Sequence, residues 1–360
     1  MFALAYKVDG AEPLLNLALE EFLAVNWNRD YPLMLLYVNA PCIVIGRNQN
    51  PWREINPSCT LPWFRRTSGG GAVYHDLGNL NWSLVVPRKL HDKDEELATI
   101  VNALRGLGVE ATAGVRGGMF LTRPDGSMAK ISGTARRFTP RNVLHHGTLL
   151  ISSDLAALAA CLGGLTVYQD PSIPSVPATP VNLADVIPGL TVAQVADHLI
   201  QVVAGGMAER LSVPECIITQ GLLKLYEERV QSGQVAESAN IPAPDAHACL
   251  DGSLEALLQS IEEPEDAPQP PLINLEQYYQ TVRTLASDTW RLGMTPPFEV
   301  VARPGKCSIL VAVDHGVIAR VEPLNHEEKA AVDTAHRLQH WKERPFSYTA
   351  VSAMEMEGVQ

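Results

Sequence analysis

The sequence predicts a mixed α/β domain over residues 1–230 followed by a small α+β domain over 273–360, and three features carry the prediction. Helical and strand periodicities alternate along the first 230 residues. An acidic, Pro-rich stretch over 231–272 then interrupts them. Three β-rich runs and one amphipathic helix close the chain. Such alternation belongs to mixed α/β domains, and 360 residues suffice for two domains.

Taken in order, Leu15, Leu19, Phe22 and Val25 fall on one helical face. The runs 33–39 and 42–46 read as short buried strands split by Ala40-Pro41, and 80–86 as another strand. Leu97, Ile100, Val101, Leu104 and Leu107 outline an amphipathic helix stopped by Gly106 and Gly108. A strand is expected over 146–152, a helix over 153–162, and a further helix through Val192, Val195, Leu199 and Val203. In the tail, 298–303, 307–313 and 316–322 read as strands joined by tight turns. A last helix is expected from Asn325, with Glu328 completing a capping box. The 231–272 stretch reads as a linker or exposed insertion.

Composition narrows the class of function. Hydrophobic residues are 46% and charged residues 19% of the chain, enough for a packed core. No apolar run reaches the roughly 18 residues of a membrane span. Six cysteines lie far apart without metal-ligand spacing, so reduced thiols in a soluble, cytoplasmic protein are expected. The net charge of −12 speaks against a nucleic-acid partner. That charge is uneven: residues 1–150 carry 16 Lys/Arg against 13 Asp/Glu, leaving room for a local anion site in the front half.

Three segments carry chemistry. In RRTSGGGAVYHDLGN (65–79) three successive glycines follow two arginines. Glycine stabilises neither helix nor strand, but Gly69, Gly70 and Gly71 permit close backbone approach to a ligand and an anion-binding nest. Arg65 and Arg66 add cations suited to phosphate or carboxylate. No P-loop or dinucleotide pattern is present. In SMAKISGTARR (127–137), Lys130 sits between Ala129 and Ile131, where a lysine in a cleft would neutralise a phosphate or polarise a carbonyl. Alone, a solvent-facing lysine on an edge strand is the simpler reading. In LHHGTLL (144–150), His145 and His146 point to opposite faces of a strand, so one is expected to line a pocket and a shared metal is discounted.

In order and spacing, GRNQNPW (46–52), the glycine segment, KISGTA (130–135) and HHGTLL (145–150) resemble the lipoate–protein ligase and lipoyltransferase family. TWRLGMTPPF (289–298) is similar to the opening of that family's small accessory domain. The resemblance implies the biotin/lipoyl ligase catalytic fold with a C-terminal α+β accessory domain. It implies an enzyme that joins lipoate to AMP, with ATP and Mg²⁺, and passes the lipoyl group to a lysine of a carrier domain. The carriers implied are lipoyl domains of 2-oxoacid dehydrogenase E2 subunits and the glycine cleavage H protein. Carried over by position, Lys130 is catalytic, and Arg66, Gly71, Ala72, Val73 and Tyr74 hold the nucleotide. Gly69, Gly70, His75, Asn79, Ser132, Gly133, His146, Gly147 and Thr148 serve the acyl substrate or orient Lys130.

Two departures bear on the acyl donor. The family's Arg-x-Asp is Arg116-Gly117-Gly118 here, so Gly118 stands where a carboxylate for Mg²⁺ is expected and no protein metal ligand is assigned. Pro177 stands in place of an arginine, and no Lys or Arg occurs between Arg141 and Arg210. Transfer from preformed lipoyl-AMP is therefore expected to exceed ligation from lipoate and ATP. The alternatives are a cysteine-type octanoyltransferase, with Cys161 as its thiol, and a lipoyl-binding or assembly protein without turnover.

Overall fold

The computed structural model describes residues 4–8, 10–123, 125–205, 208–211 and 275–357. The expected linker at 231–272 lies outside these residues.

The first domain is built on a six-stranded mixed sheet. Its strands are β1 (Leu4–Val8), β2 (Leu33–Tyr37), β6 (Asn79–Pro87), β10 (Thr134–Phe138), β11 (Asn142–Leu150) and β12 (Ala208–Leu211). They lie in the order β10-β11-β6-β2-β1-β12. The long β6 and β11 pair antiparallel from Asn79↔Leu150 to Pro87↔Asn142 and form its centre. Two three-stranded sheets flank it. One holds β3 (Cys42–Ile45), β4 (Trp63–Arg65) and β5 (Val73–His75); the other holds β7 (Ala111–Ala113), β8 (Met119–Thr122) and β9 (Met128–Ser132).

Helices cover both faces of the large sheet, as its uniformly buried central strands require. On one face lies α1 (Pro13–Asn26), whose proline at the first turn suits a helix start. After the short α2 (Pro51–Glu54), the opposite face receives α3 (Lys93–Gly106). Asp92 caps α3 by accepting from the amides of Asp94 and Glu95. The helix α4 (Leu155–Cys161) leads towards α5 (Val192–Ala204), which joins α3 and carries the capping box Thr191/Gln194. Leu36, Trp82, Leu84, Ile100, Leu104 and Leu199 pack in the core on the α3/α5 face. Leu19, Phe22, Leu33, Leu35, Val85 and Leu144 pack on the α1 face. Val25, expected on the apolar face of α1, is exposed directly after the buried stretch that ends at Ala24.

The second unit begins with α6 (Leu275–Ala286) and α7 (Asp288–Arg291), followed by the meander β13 (Phe298–Ala302), β14 (Ile309–Asp314) and β15 (Val317–Pro323). It ends with α8 (Lys329–Arg337) and α9 (Tyr348–Glu357). Helix α6 packs Tyr278, Val282 and Leu285 into the α1 core of the first domain. The final meander has its own core, which Trp52 of the first domain enters by stacking on Phe298 at 5.4 Å. The expected helix start at Asn325 is corrected. The helix begins at Lys329 without a side-chain cap, because Asn325 instead closes a local turn by accepting from the Glu327 amide at 3.1 Å.

Candidate active site

A cavity of about 690 Å³ opens between the glycine segment, β9–β11 and the 173–179 stretch. Its lining follows from strand alternation. On β5, Val73 and His75 face the cavity while Tyr74 turns into a cluster with Ile43 and Trp63. On β11, His146, Gly147 and Thr148 face it, and His145 goes to the other side of the sheet.

The cavity thus gathers Lys130, Arg66, Gly70, Gly71, Ala72, Val73, His75, Gly133, His146, Gly147 and Thr148. Four expected site residues stand outside its lining. Gly69 borders a second cavity, and the Tyr74 side chain points away. Asn79 is buried and donates to Asn81 Oδ1 at 3.1 Å, so that Asn81 is the neighbour facing the cavity. Ser132 is buried at the end of β9.

Lys130 is held by its backbone from two directions. Its strand pairs with β8, while its amide donates to Thr179 O at 2.8 Å and its carbonyl accepts from Val181 at 3.0 Å. Burial lowers its pKa below the usual lysine value. Gly133 bonds reciprocally with Thr148, through Gly133 N to Oγ1 at 3.2 Å and Thr148 N to Gly133 O at 3.1 Å. A β-carbon at 133 would lie in ordinary contact with Lys130 Cε and Nζ at 3.7 Å, which places the ammonium beside this turn.

The two arginines of the glycine segment have separate jobs. Arg66 donates to Gly69 O at 2.6 Å, Gly71 O at 2.8 Å and Val44 O at 3.1 Å, shaping the loop from behind. Burial lowers its pKa to about 10, still a cation at neutral pH. With those carbonyls engaged, the amides of Gly69, Gly70 and Gly71 find no acceptor among the described residues. Three such N–H groups beside a guanidinium make an anion cradle. The expectation that Arg65 adds charge to it is corrected. Arg65 is buried and donates to the carbonyls of Arg47, Gln49 and Arg291 and to Thr295 Oγ1. The acceptors on Arg291 and Thr295 place its guanidinium against the C-terminal unit.

Behind the cavity runs a buried polar chain. Asn16 donates to Asn39 Oδ1, which directs the Asn39 amide to His75 Nδ1 at 2.9 Å and leaves the proton on His75 Nε2. Burial, with Arg66 nearby, pushes the His75 pKa down to about 3, so this ring is a neutral donor. His146 lies between Glu20 Oε1 at 2.9 Å and Ser68 Oγ at 2.7 Å. Burial alone would raise the Glu20 pKa, but the charge and hydrogen bond of His146, with Ser83 and Tyr37, hold it below the usual range.

The wall opposite the glycine loop, Ile173 to Thr179, has no periodicity that marks it in the sequence. GRNQNPW fastens it. Gln49 donates to Ile173 O and Ser175 Oγ, Asn50 donates to Asp170, and Glu54 accepts from Ser175. Ser175 in turn accepts from the Ala72 amide at 2.8 Å. The short Ile-Pro-Ser-Val-Pro stretch thereby covers the cradle.

No Asp or Glu lines this cavity among the described residues. At Gly118 a β-carbon would meet the Phe120 ring at 3.1 Å and Ser132 O at 3.2 Å. Without a carboxylate the lining lacks the charged oxygen ligand through which Mg²⁺ is usually held, and the residues present do not fit a protein-held Mg²⁺. No Cys lines the cavity either among the described residues. Cys161 is packed with Cys59, Ile55 and Trp63, and burial followed by Cys59 pushes its thiol up to about 12.

A family model, the lipoyl protein ligase A/B catalytic domain, matches residues 12–204, more than half of the chain. The chain belongs to this family. The fold extends to full length in a solved relative, P. falciparum LipL1 in complex with lipoate. It is 21% identical with a TM-score of 0.53, covering 98% of this chain and 93% of that one. A bi-partite lipoate protein ligase from Thermoplasma acidophilum, studied with its E2 lipoyl domain, is 23% identical over 66% of this chain and 98% of its own, with a TM-score of 0.48. Lipoate-protein ligase A bound with ATP is 24% identical over 66% and 98%, with a TM-score of 0.47. As a member of the lipoyl ligase family, the chain pairs a catalytic domain with a C-terminal domain of strands and helices. Among the described residues no helix is long and apolar enough to cross a membrane.

Proposed function

We propose that this protein is a lipoyltransferase that moves a lipoyl group from lipoyl-AMP to the acceptor lysine of a carrier domain, and does so faster than it ligates lipoate with ATP. The observation that carries the reading is a cavity with an intact anion cradle and Lys130 but no carboxylate. An acyl-adenylate needs its single phosphate held and its carbonyl polarised, and the cradle with Lys130 meets both needs. Activating ATP also requires Mg²⁺ on the polyphosphate, and the Gly118 site brings no ligand for it. The carriers are lipoyl domains of E2 subunits and the glycine cleavage H protein, and ATP with Mg²⁺ serves any residual ligase activity.

Each residue then has a role. Arg66 and the Gly70 and Gly71 amides hold the phosphate, and Lys130 Nζ bridges the phosphate and acyl carbonyl. His75 Nε2–H, His146, Asn81 and the Gly133–Thr148 pair border the acyl chain. A neutral lysine amine attacks the acyl carbon, AMP leaves with the C–O electron pair, and the amine's proton passes to solvent, without a covalent enzyme intermediate. The placement of Cys161 outside the cavity supports this over a thioester route.

The test is intact-mass measurement of an apo lipoyl domain incubated with lipoate, ATP and Mg²⁺, or with synthetic lipoyl-AMP. A faster single-turnover rate from lipoyl-AMP is expected, and equal rates overturn the preference.

A further inference from the structure

A second cavity of about 710 Å³ lies across the edge strand β10 from the first. Cations converge on it from three elements: Lys93 and Arg105 on α3, Arg116 on the 114–118 loop, and Arg136 on β10. Arg105, Arg116 and Arg136 have no carboxylate partner among the described residues, and Lys93 has only the adjacent Asp94 at 3.6 Å. Asp94 is the one carboxylate in the lining. Behind it, buried Glu96 is occupied by His145 and His91, each at 2.7 Å.

This concentration of positive charge stands out on a chain of net charge −12. The hollow also carries exposed apolar surface, with Val115 100% and Phe138 54% exposed. Exposed apolar anchors ringed by four cations, three of them without a carboxylate partner among the described residues, suit a protein surface of opposite charge. Its position supplies the second argument: Gly70, Gly114, Val115, Arg116, Thr134 and Ala135 line both cavities. Whatever seats in the hollow lies against the mouth of the catalytic cavity.

We infer that this hollow docks the acidic face of the carrier domain beside its acceptor lysine, so that the lysine enters the catalytic cavity past the 114–118 loop. The inference rests on the transferase reading for the identity of the partner.

The test uses the full chain and a fluorescently labelled apo lipoyl domain of an E2 subunit, with affinity read by anisotropy. Lys93 and Arg136 line the hollow but not the catalytic cavity, so the double reversal Lys93→Glu/Arg136→Glu isolates docking. It is expected to weaken carrier binding at least tenfold while lipoyl-AMP affinity and Tm stay at wild-type values. Salt is expected to weaken the wild-type complex and to have far less effect on the variant. Carrier affinity within twofold of wild type in the reversed variant overturns the inference, as does absence of binding to the wild-type chain. If the double variant does not fold, a salt-insensitive wild-type affinity overturns it and a steep salt dependence supports it. Binding lost on reversal without any acyl transfer by the wild type sinks the transferase reading and leaves the docking site standing.

Discussion

Arg65 Nε donates to the main-chain carbonyl of Arg291 at 2.7 Å, joining the glycine segment to the C-terminal unit across 226 residues of sequence. The rest of the guanidinium holds Arg47 O, Gln49 O and Thr295 Oγ1, and Trp290 Nε1 returns a bond to Arg65 O at 2.8 Å. Arg291 itself lies over the Trp63 ring at 4.4 Å. Burial and the neighbouring Arg291 lower the Arg65 pKa to about 9. The charge is retained because five acceptor contacts replace its hydration.

Removing that fork strands buried carbonyls on both sides of the junction. Arg65→Met is expected to lower stability by about 3–5 kcal/mol. Arg65→Lys recovers only part, because an ammonium cannot match the planar array. Urea unfolding of the three proteins measures both losses. A Lys variant as stable as wild type would show that charge, rather than the fork, matters here.

Lys130 is clamped through its own amide and carbonyl, so shortening its side chain should leave the fold intact. Lys130→Ala is expected to reduce lipoyl transfer about 10²–10³-fold, the scale for losing one preorganised electrostatic contact. Carrier binding and Tm are expected to persist. Single-turnover mass measurements decide it: transfer within threefold of wild type removes Lys130 from the reaction.

The Gly118 site offers a gain-of-function test. A side chain at 118 meets the Phe120 ring and Ser132 O, so Gly118→Asp is paired with Phe120→Ala, which frees the larger of the two contacts. The double variant is expected to raise the rate with lipoate, ATP and Mg²⁺ relative to the rate with lipoyl-AMP. An unchanged ratio of the two rates would separate donor preference from this carboxylate.

What could be read from the sequence was local. The glycine run, Lys130 and the opposed faces of His145 and His146 follow from residue type and the two-residue strand period. The two faces of the large sheet were legible in the apolar runs of β2, β6 and α3. The job of Arg65 was not, because its acceptors lie on segments more than 200 residues apart. Of the 173–179 wall only Pro177 was marked, through the resemblance; its anchoring was hidden for the same reason. Nothing in Ile-Pro-Ser-Val-Pro signals that Gln49 and Glu54 will hold it over the cradle. Asn81 escaped notice beside Asn79, since both lie on one face of β6 and only the fold shows which meets the cavity.

His75 makes the fold sensitive to acid. Its pKa is about 3 in the folded protein and near 6.5 in an unfolded chain. Below pH ~6.5 the unfolded state therefore takes up a proton that the folded state refuses, and stability falls as pH drops towards 3. From this residue the loss by pH 5 is about 2 kcal/mol, using 1.36 kcal/mol per unit. His145, also held down by burial, acts in the same direction. His75→Gln keeps an amide that can face the cavity and removes the titration. Its difference in unfolding free energy between pH 7.5 and pH 5 is expected to shrink by about 2 kcal/mol relative to wild type. A shrinkage below about 0.5 kcal/mol would mean that the folded chain accepts a proton at His75 with little penalty. The neutral Nε2–H donor assigned to the acyl cavity would then be lost.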